Sequence, residues 1–205
     1  MIIAITPPDY FKNESKAIES LLNEGVSYVH VRKPKSSSSS VAKLINTIDK
    51  SCYNKLSVHY YYDLCSEEGV GGFHESRGYN IDRVEQREGL RISRGAHSFN
   101  ELKDKGRGCN YIFLSPVFNS ISKSGYLSAF DYEETKEFLH SIRNEFTAKI
   151  VALGGVSPQN IEKALETGFD GVALIGSLWS VKNGSIDIKE SVDNYKLLKK
   201  RYGYG

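Results

Sequence analysis

Eight short apolar runs rich in β-branched and aromatic residues recur along the chain, at residues 2–6, 28–32, 56–61, 71–74, 90–93, 111–115, 150–153 and 171–175. Each is followed by a polar loop, and most by a stretch with apolar residues at helical spacing: 15–23, 41–49, 99–103, 131–144 and 158–167. Strands that are apolar almost throughout are buried on both faces, the pattern of a parallel sheet covered by helices. Eight such units predict closure into an α/β (β/α)8 TIM barrel, one domain over residues 1–205. A doubly wound open sheet is the alternative, but Thr6-Pro7-Pro8 stands where its GxGxxG turn would follow the first run. Segment 75–88 breaks the rhythm, since only Ile81 and Val84 hint at a helical face.

Composition narrows the classes of partner. Positive and negative residues interleave to a net charge of +2, which offers no basic stripe for nucleic acid and none for an anionic membrane surface. No apolar run approaches the ~18 residues of a membrane span, and the opening Met1 to Thr6, followed by two prolines, is too short for a signal peptide. Cys52, Cys65 and Cys109 show no CxxC spacing, which speaks against a disulfide framework and for a reducing cytoplasm. A soluble cytoplasmic protein is expected.

Two strand ends run into glycine: Leu153-Gly154-Gly155-Val156, leading to Ser157-Pro158, and Ile175-Gly176-Ser177. In such barrels the loops after strands seven and eight commonly hold phosphate, because glycine lets backbone N–H groups approach an anion. Gly154, Gly155, Ile175, Gly176 and Ser177 are the candidate phosphate cradle, although Ser157 as N-cap and Pro158 at the first helical position also suit an ordinary helix start. After the sixth run, Ser120, Ser122 and Lys123 alternate hydroxyls with a cation, able to wrap a polyanion or to form an exposed polar loop. Ser36 to Ser40 read as a flexible loop, which in a barrel lies at the active mouth. Tyr60, Tyr61, Tyr62 and Tyr79 suit either core packing or stacking on a flat heteroaromatic ring, and Trp179 suits packing.

The order of Val29-His30-Val31-Arg32, the loop Ser115-Pro116-Val117-Phe118-Asn119-Ser120-Ile121-Ser122-Lys123, Ala152-Leu153-Gly154-Gly155-Val156 and Val172-Ala173-Leu174-Ile175-Gly176-Ser177 resembles the thiamine phosphate synthase/TenI family over most of the chain. In its synthases a pyrimidine diphosphate ionises with Mg2+ assistance, and the nitrogen of a thiazole phosphate captures the cation. The resemblance implies that Arg32, Ser120, Ser122 and Lys123 hold the diphosphate and that Gly155, Ile175 and Gly176 surround the thiazole phosphate. It also implies a homodimer.

Departures from the pattern bear on the reaction. His59 and Tyr60 stand where the synthases carry asparagine and aspartate, and Tyr79 where a further aspartate is expected. Asp63 and Asp82 are weak substitutes, out of register, so no metal ligand is assigned. Pro34 replaces a lysine, flanked by Lys33 and Lys35, and the usual serine falls near Gly95. TenI-type members instead shift a double bond in a thiazole carboxylate phosphate, using a histidine after strand five that matches His97. Imidazole both takes and gives a proton near neutral pH, so His97, Lys123 and Arg32 are the candidate catalytic residues; a cap for the next helix is the competing role for His97. The lost acidic residues favour the tautomerase, the retained serine-lysine loop favours the synthase, and a non-catalytic phosphate-ligand sensor is the third reading. His30, His59, His74 and His97 fall near the ends of four successive strands, a zinc-type ligand set if they point inward, but strand alternation argues against all four converging.

Overall fold

In the computed structural model, which describes residues 1–76, 88–119, 130–144 and 146–203, eight parallel strands close in chain order into a barrel. They are β1 (Ile2–Ile5), β2 (Tyr28–Val31), β3 (Leu56–His59), β4 (Gly72–His74), β5 (Arg91–Ala96), β6 (Tyr111–Leu114), β7 (Lys149–Leu153) and β8 (Gly171–Leu174). Closure is made by β1 on β8, with Ile2, Ile3 and Ala4 in register with Val172, Ala173 and Leu174. Every strand expected from the apolar runs is present, with ends shifted by three residues at most.

The covering helices are α1 (Glu14–Asn23), α2 (Ser38–Ile45), α3 (Asp63–Glu67), α4 (Phe99–Lys105), α5 (Tyr132–Ile142), α6 (Ile161–Thr167) and α7 (Ile188–Arg201), with a 3-10 turn at Lys50–Lys55. Helix α2 corrects the expectation of a loop at Ser36 to Ser40. Ser37 caps it by accepting from the amide of Ser40, and Val41 and Ile45, four apart, bury its inner face. Helix α7 had no counterpart in the sequence reading: its buried stripe is Ser191, Tyr195 and Leu198, too polar to register as apolar periodicity. Before it, β9 (Val181–Lys182) and β10 (Ser185–Ile186) form a small hairpin. No helix among the described residues is long and apolar enough to cross a membrane.

Strand alternation divides the core in two. Ile2 and Ala4 face the helices, whereas Ile3 and Ile5 face the barrel interior with Tyr111, Phe113, Val151 and Ala173. The interior is therefore asymmetric: β6, β7, β8 and β1 line it with apolar side chains, while β2 to β5 contribute the buried His30, Ser57, His59, His74 and Ser93. At the amino-terminal end the Arg91 guanidinium lies 3.7 Å over the Tyr28 ring and donates to the carbonyls of Asn54 and Leu56, closing the floor. The carboxyl-end mouth is where the candidate residues gather.

Candidate active site at the carboxyl ends of the strands

The turns after β7 and β8 are built as a pair. Gly154 and Gly155 have φ of 94° and 65°, in the left-handed region. A Cβ on Gly155 would stand 2.4 Å from the carbonyl oxygen of Asn119, so the backbone after β6 packs directly on this glycine. Two amides fasten that contact, Val117 N to Leu153 O at 2.9 Å and Phe118 N to Gly154 O at 3.0 Å. The β8 turn is clipped to it by the Ser177 hydroxyl, which donates to the Val156 carbonyl at 2.7 Å. Ser177 therefore offers an anion its amide rather than its hydroxyl proton. Among the described residues, the amides of Gly155, Gly176 and Ser177 meet no acceptor, and they border Ile175, which closes the turn through Leu178 N at 3.2 Å.

Helix α6 starts at Ile161, not at Pro158. Asn160 intervenes: its side chain accepts from Ser157 N at 2.8 Å and donates to Gly155 O at 2.9 Å, bracing the glycine turn before the helix begins.

Arg32 follows β2, half-buried, with its amide donating to Thr6 Oγ1 at 3.0 Å. Its guanidinium makes no hydrogen bond or ion pair with any described residue. Neither neighbouring lysine joins it. Lys33 is buried and donates to Glu14 at 2.6 Å and to the carbonyls of Pro7 and Asp9, while Lys35 is exposed. Burial pushes Lys33 below and Glu14 above its ordinary pKa, and the hydrogen bond between them opposes both shifts. Asp63 is exposed at the start of α3. Ser120, Ser122, Lys123, Asp82 and Tyr79 lie outside the described residues.

His97 stands exposed just beyond β5. Capping of α4 falls to Ser98, which accepts from Glu101 N at 3.1 Å, and the His97 side chain instead meets the Ser115 carbonyl through Nδ1 at 2.9 Å. A carbonyl only accepts, so Nδ1 donates there, and in the neutral ring the lone pair sits on Nε2. Between this histidine and Arg32, Tyr60 follows β3 at φ 70°, its ring 5.9 Å from that of His59, while Tyr62 is buried and Tyr61 half-buried. Trp179 is 8% exposed and donates to the Ile5 carbonyl at 2.8 Å, a packing role.

Three of the four strand-end histidines converge one layer deeper. His59 and His74 are in register on β3 and β4, their rings stacked at 4.2 Å between centroids, and His30 meets them from β2. His30 Nδ1 lies 3.0 Å from His59 Nε2, His30 Nε2 lies 2.6 Å from the Tyr111 hydroxyl, and His74 Nδ1 lies 3.0 Å from Ser93 Oγ. Alternation did not separate them because all three occupy inward positions, whereas His97 lies beyond its strand. Burial drives all three well below the usual histidine pKa, His74 to about 3, with Arg32 adding to the effect on His59 and His74. They are neutral at physiological pH.

Comparison with known proteins adds lineage to this geometry. The family model described as thiamine monophosphate synthase matches residues 2–178. Thiamine-phosphate synthase of Clostridium acetobutylicum is 27% identical over 176 residues, covering 82% of this chain and 80% of the relative. That of Clostridium tetani is 27% identical over 199 residues, 92% and 90% of the two chains. The crystal structure of thiamine phosphate pyrophosphorylase from Bacteroides thetaiotaomicron superposes with a TM-score of 0.83 at 24% identity, covering 98% of this chain and 97% of that one, a likeness of fold.

Proposed function

This chain belongs to the thiamine monophosphate synthase family, a family of enzymes, and we propose that it joins a hydroxymethylpyrimidine diphosphate to a thiazole phosphate. The single observation that carries the reading is the family match over residues 2–178, with relatives named as that synthase along most of their length. The sequence alone favoured the tautomerase; the comparisons favour the synthase instead. In the coupling, the pyrimidine methylene C–O bond breaks, diphosphate leaves with the electron pair, and the thiazole nitrogen forms the new C–N bond. The Arg32 guanidinium, uncommitted among the described residues, presents a planar fork to the diphosphate. The amides of Gly155, Gly176 and Ser177 hold the thiazole phosphate at two turns clipped together by Ser177, the first of them braced by Asn160. Fixing both partners in line supplies proximity, and Arg32 stabilises charge on the departing group.

Magnesium, which the family's synthases use, requires oxygen ligands. Among the described residues, His59 and Tyr60 occupy the end of β3, Asp63 is exposed on α3, and the cluster with ligand spacing is made of imidazoles. These residues do not fit magnesium.

One observation favours a second reading. With Nδ1 bound to the Ser115 carbonyl, His97 holds a basic Nε2 at the mouth, the group a thiazole tautomerase needs to move a proton between ring positions. Turnover of the purified protein with both substrates decides. Thiamine phosphate formation that falls at least a hundredfold in Arg32→Ala supports the synthase. No coupling, but His97-dependent isomerisation of the thiazole carboxylate phosphate, replaces it with the tautomerase. Thiazole phosphate binding with neither turnover leaves the sensor.

A further inference from the structure

We infer that His30, His59 and His74 form a binding site inside the barrel for one borderline-soft divalent cation of the zinc class. One nitrogen from each ring lies within 4.8 Å of one from both others. Tetrahedral coordination with Zn–N bonds of 2.0–2.1 Å needs nitrogens about 3.4 Å apart; the His30–His59 pair already stands at 3.0 Å, so the wider separations close by side-chain rotation on rigid strands.

The hydrogen bonds around the rings suit a metal. Each outer partner also has a role. Ser93 Oγ donates toward the Phe73 carbonyl and so accepts from His74 Nδ1, leaving His74 Nε2 as the basic nitrogen. The Tyr111 hydroxyl both donates and accepts, so it can turn to accept from His30 Nε2 and free Nδ1 for a ligand bond. Opposing the cation are the charges of Arg32, at the mouth, and Arg91, on the floor. A phosphate or diphosphate beside Arg32 neutralises the first, and Arg91 lies over Tyr28 at the far end.

Softness separates this site from a magnesium site. Three nitrogen donors select zinc, cobalt or nickel over magnesium and calcium, and the fourth tetrahedral position falls to a water or another small ligand. The inference rests on the histidines themselves and holds for synthase and tautomerase alike, because its test reads metal rather than turnover.

Metal-free full-length protein is titrated with Co2+ and with Zn2+. One equivalent is expected to bind, with the strong visible absorption of tetrahedral Co2+, and zinc-edge X-ray absorption of the unsubstituted protein should read a shell of three nitrogens. His59→Gln should remove stoichiometric binding while leaving the circular dichroism spectrum unchanged, His97→Gln should bind as before, and Tyr111→Phe should weaken binding 10–100-fold. A protein that takes up no metal at one equivalent, a first shell of fewer than three nitrogens, or binding that survives His59→Gln overturns the site. If His59→Gln does not fold, the absorption shell of the unsubstituted protein decides alone.

Discussion

The hydroxyl of Tyr111 on β6 lies 2.6 Å from Nε2 of His30 on β2, the two side chains reaching across the barrel interior at 1% and 0% exposure. Each is the other's means of satisfying a polar group away from water. Tyr111→Phe strands a buried imidazole nitrogen, a cost of about 1–3 kcal/mol. Urea unfolding monitored by circular dichroism should show that loss as a lower midpoint at constant slope; an unchanged midpoint would mean the contact contributes nothing.

The three buried histidines set a pH dependence. Their folded pKa values lie below the ordinary 6.5, His74 at about 3, so below pH 6.5 the unfolded chain binds protons that the folded one refuses. Their stabilisation is present above 6.5 and is lost as pH falls from there toward 3. Each contributes a slope of about 1.4 kcal/mol per pH unit where its unfolded form is protonated and its folded form is not. Unfolding free energies at pH 7, 6 and 5 should fall accordingly, and less steeply in His59→Gln; equal slopes in both proteins would refute the assignment.

Lys33 and Glu14 form a buried pair at 2.6 Å, with side chains 0% and 1% exposed. Lys33→Ala leaves the carboxylate without its cation and should destabilise by about 3–5 kcal/mol. Combining Lys33→Met with Glu14→Leu removes both charges and should cost less than Lys33→Ala alone, as a thermal-melting comparison would show. Additive losses would contradict the coupling.

Gly155 has φ 65° and a would-be Cβ 2.4 Å from Asn119 O. Gly155→Ala should therefore strain the turn by about 1–3 kcal/mol and push it from the backbone after β6. Calorimetry should find weaker thiazole phosphate binding, with the barrel's circular dichroism retained. Wild-type affinity would show that the turn is not part of the cradle.

The barrel was legible because its strands are buried on both faces, and runs such as Ile2 to Thr6 and Tyr111 to Ser115 carry that burial in their composition. Helix α7 escaped because tertiary packing buries Ser191 and Tyr195, which no hydrophobic pattern announces. The serine run misled for a related reason: composition says loop, yet the Ser37 hydroxyl accepts from the Ser40 amide and caps the start of a helix. The family resemblance pointed to Arg32 and His97, and glycine at two strand ends to the paired turns. What it left open was direction: that Lys33 turns inward to Glu14, that Ser177 spends its hydroxyl on Val156, and that three histidines meet. Those depend on registers between strands far apart in sequence.

The indole of Trp179, beside the β8 turn, donates to the carbonyl of Ile5 across 174 residues of chain. One hydrogen bond thus ties the segment after the last barrel strand to the end of the first, at the seam where β8 closes on β1. The closing seam of the barrel and the turn after β8 therefore share a fastening, so that loosening one loosens the other.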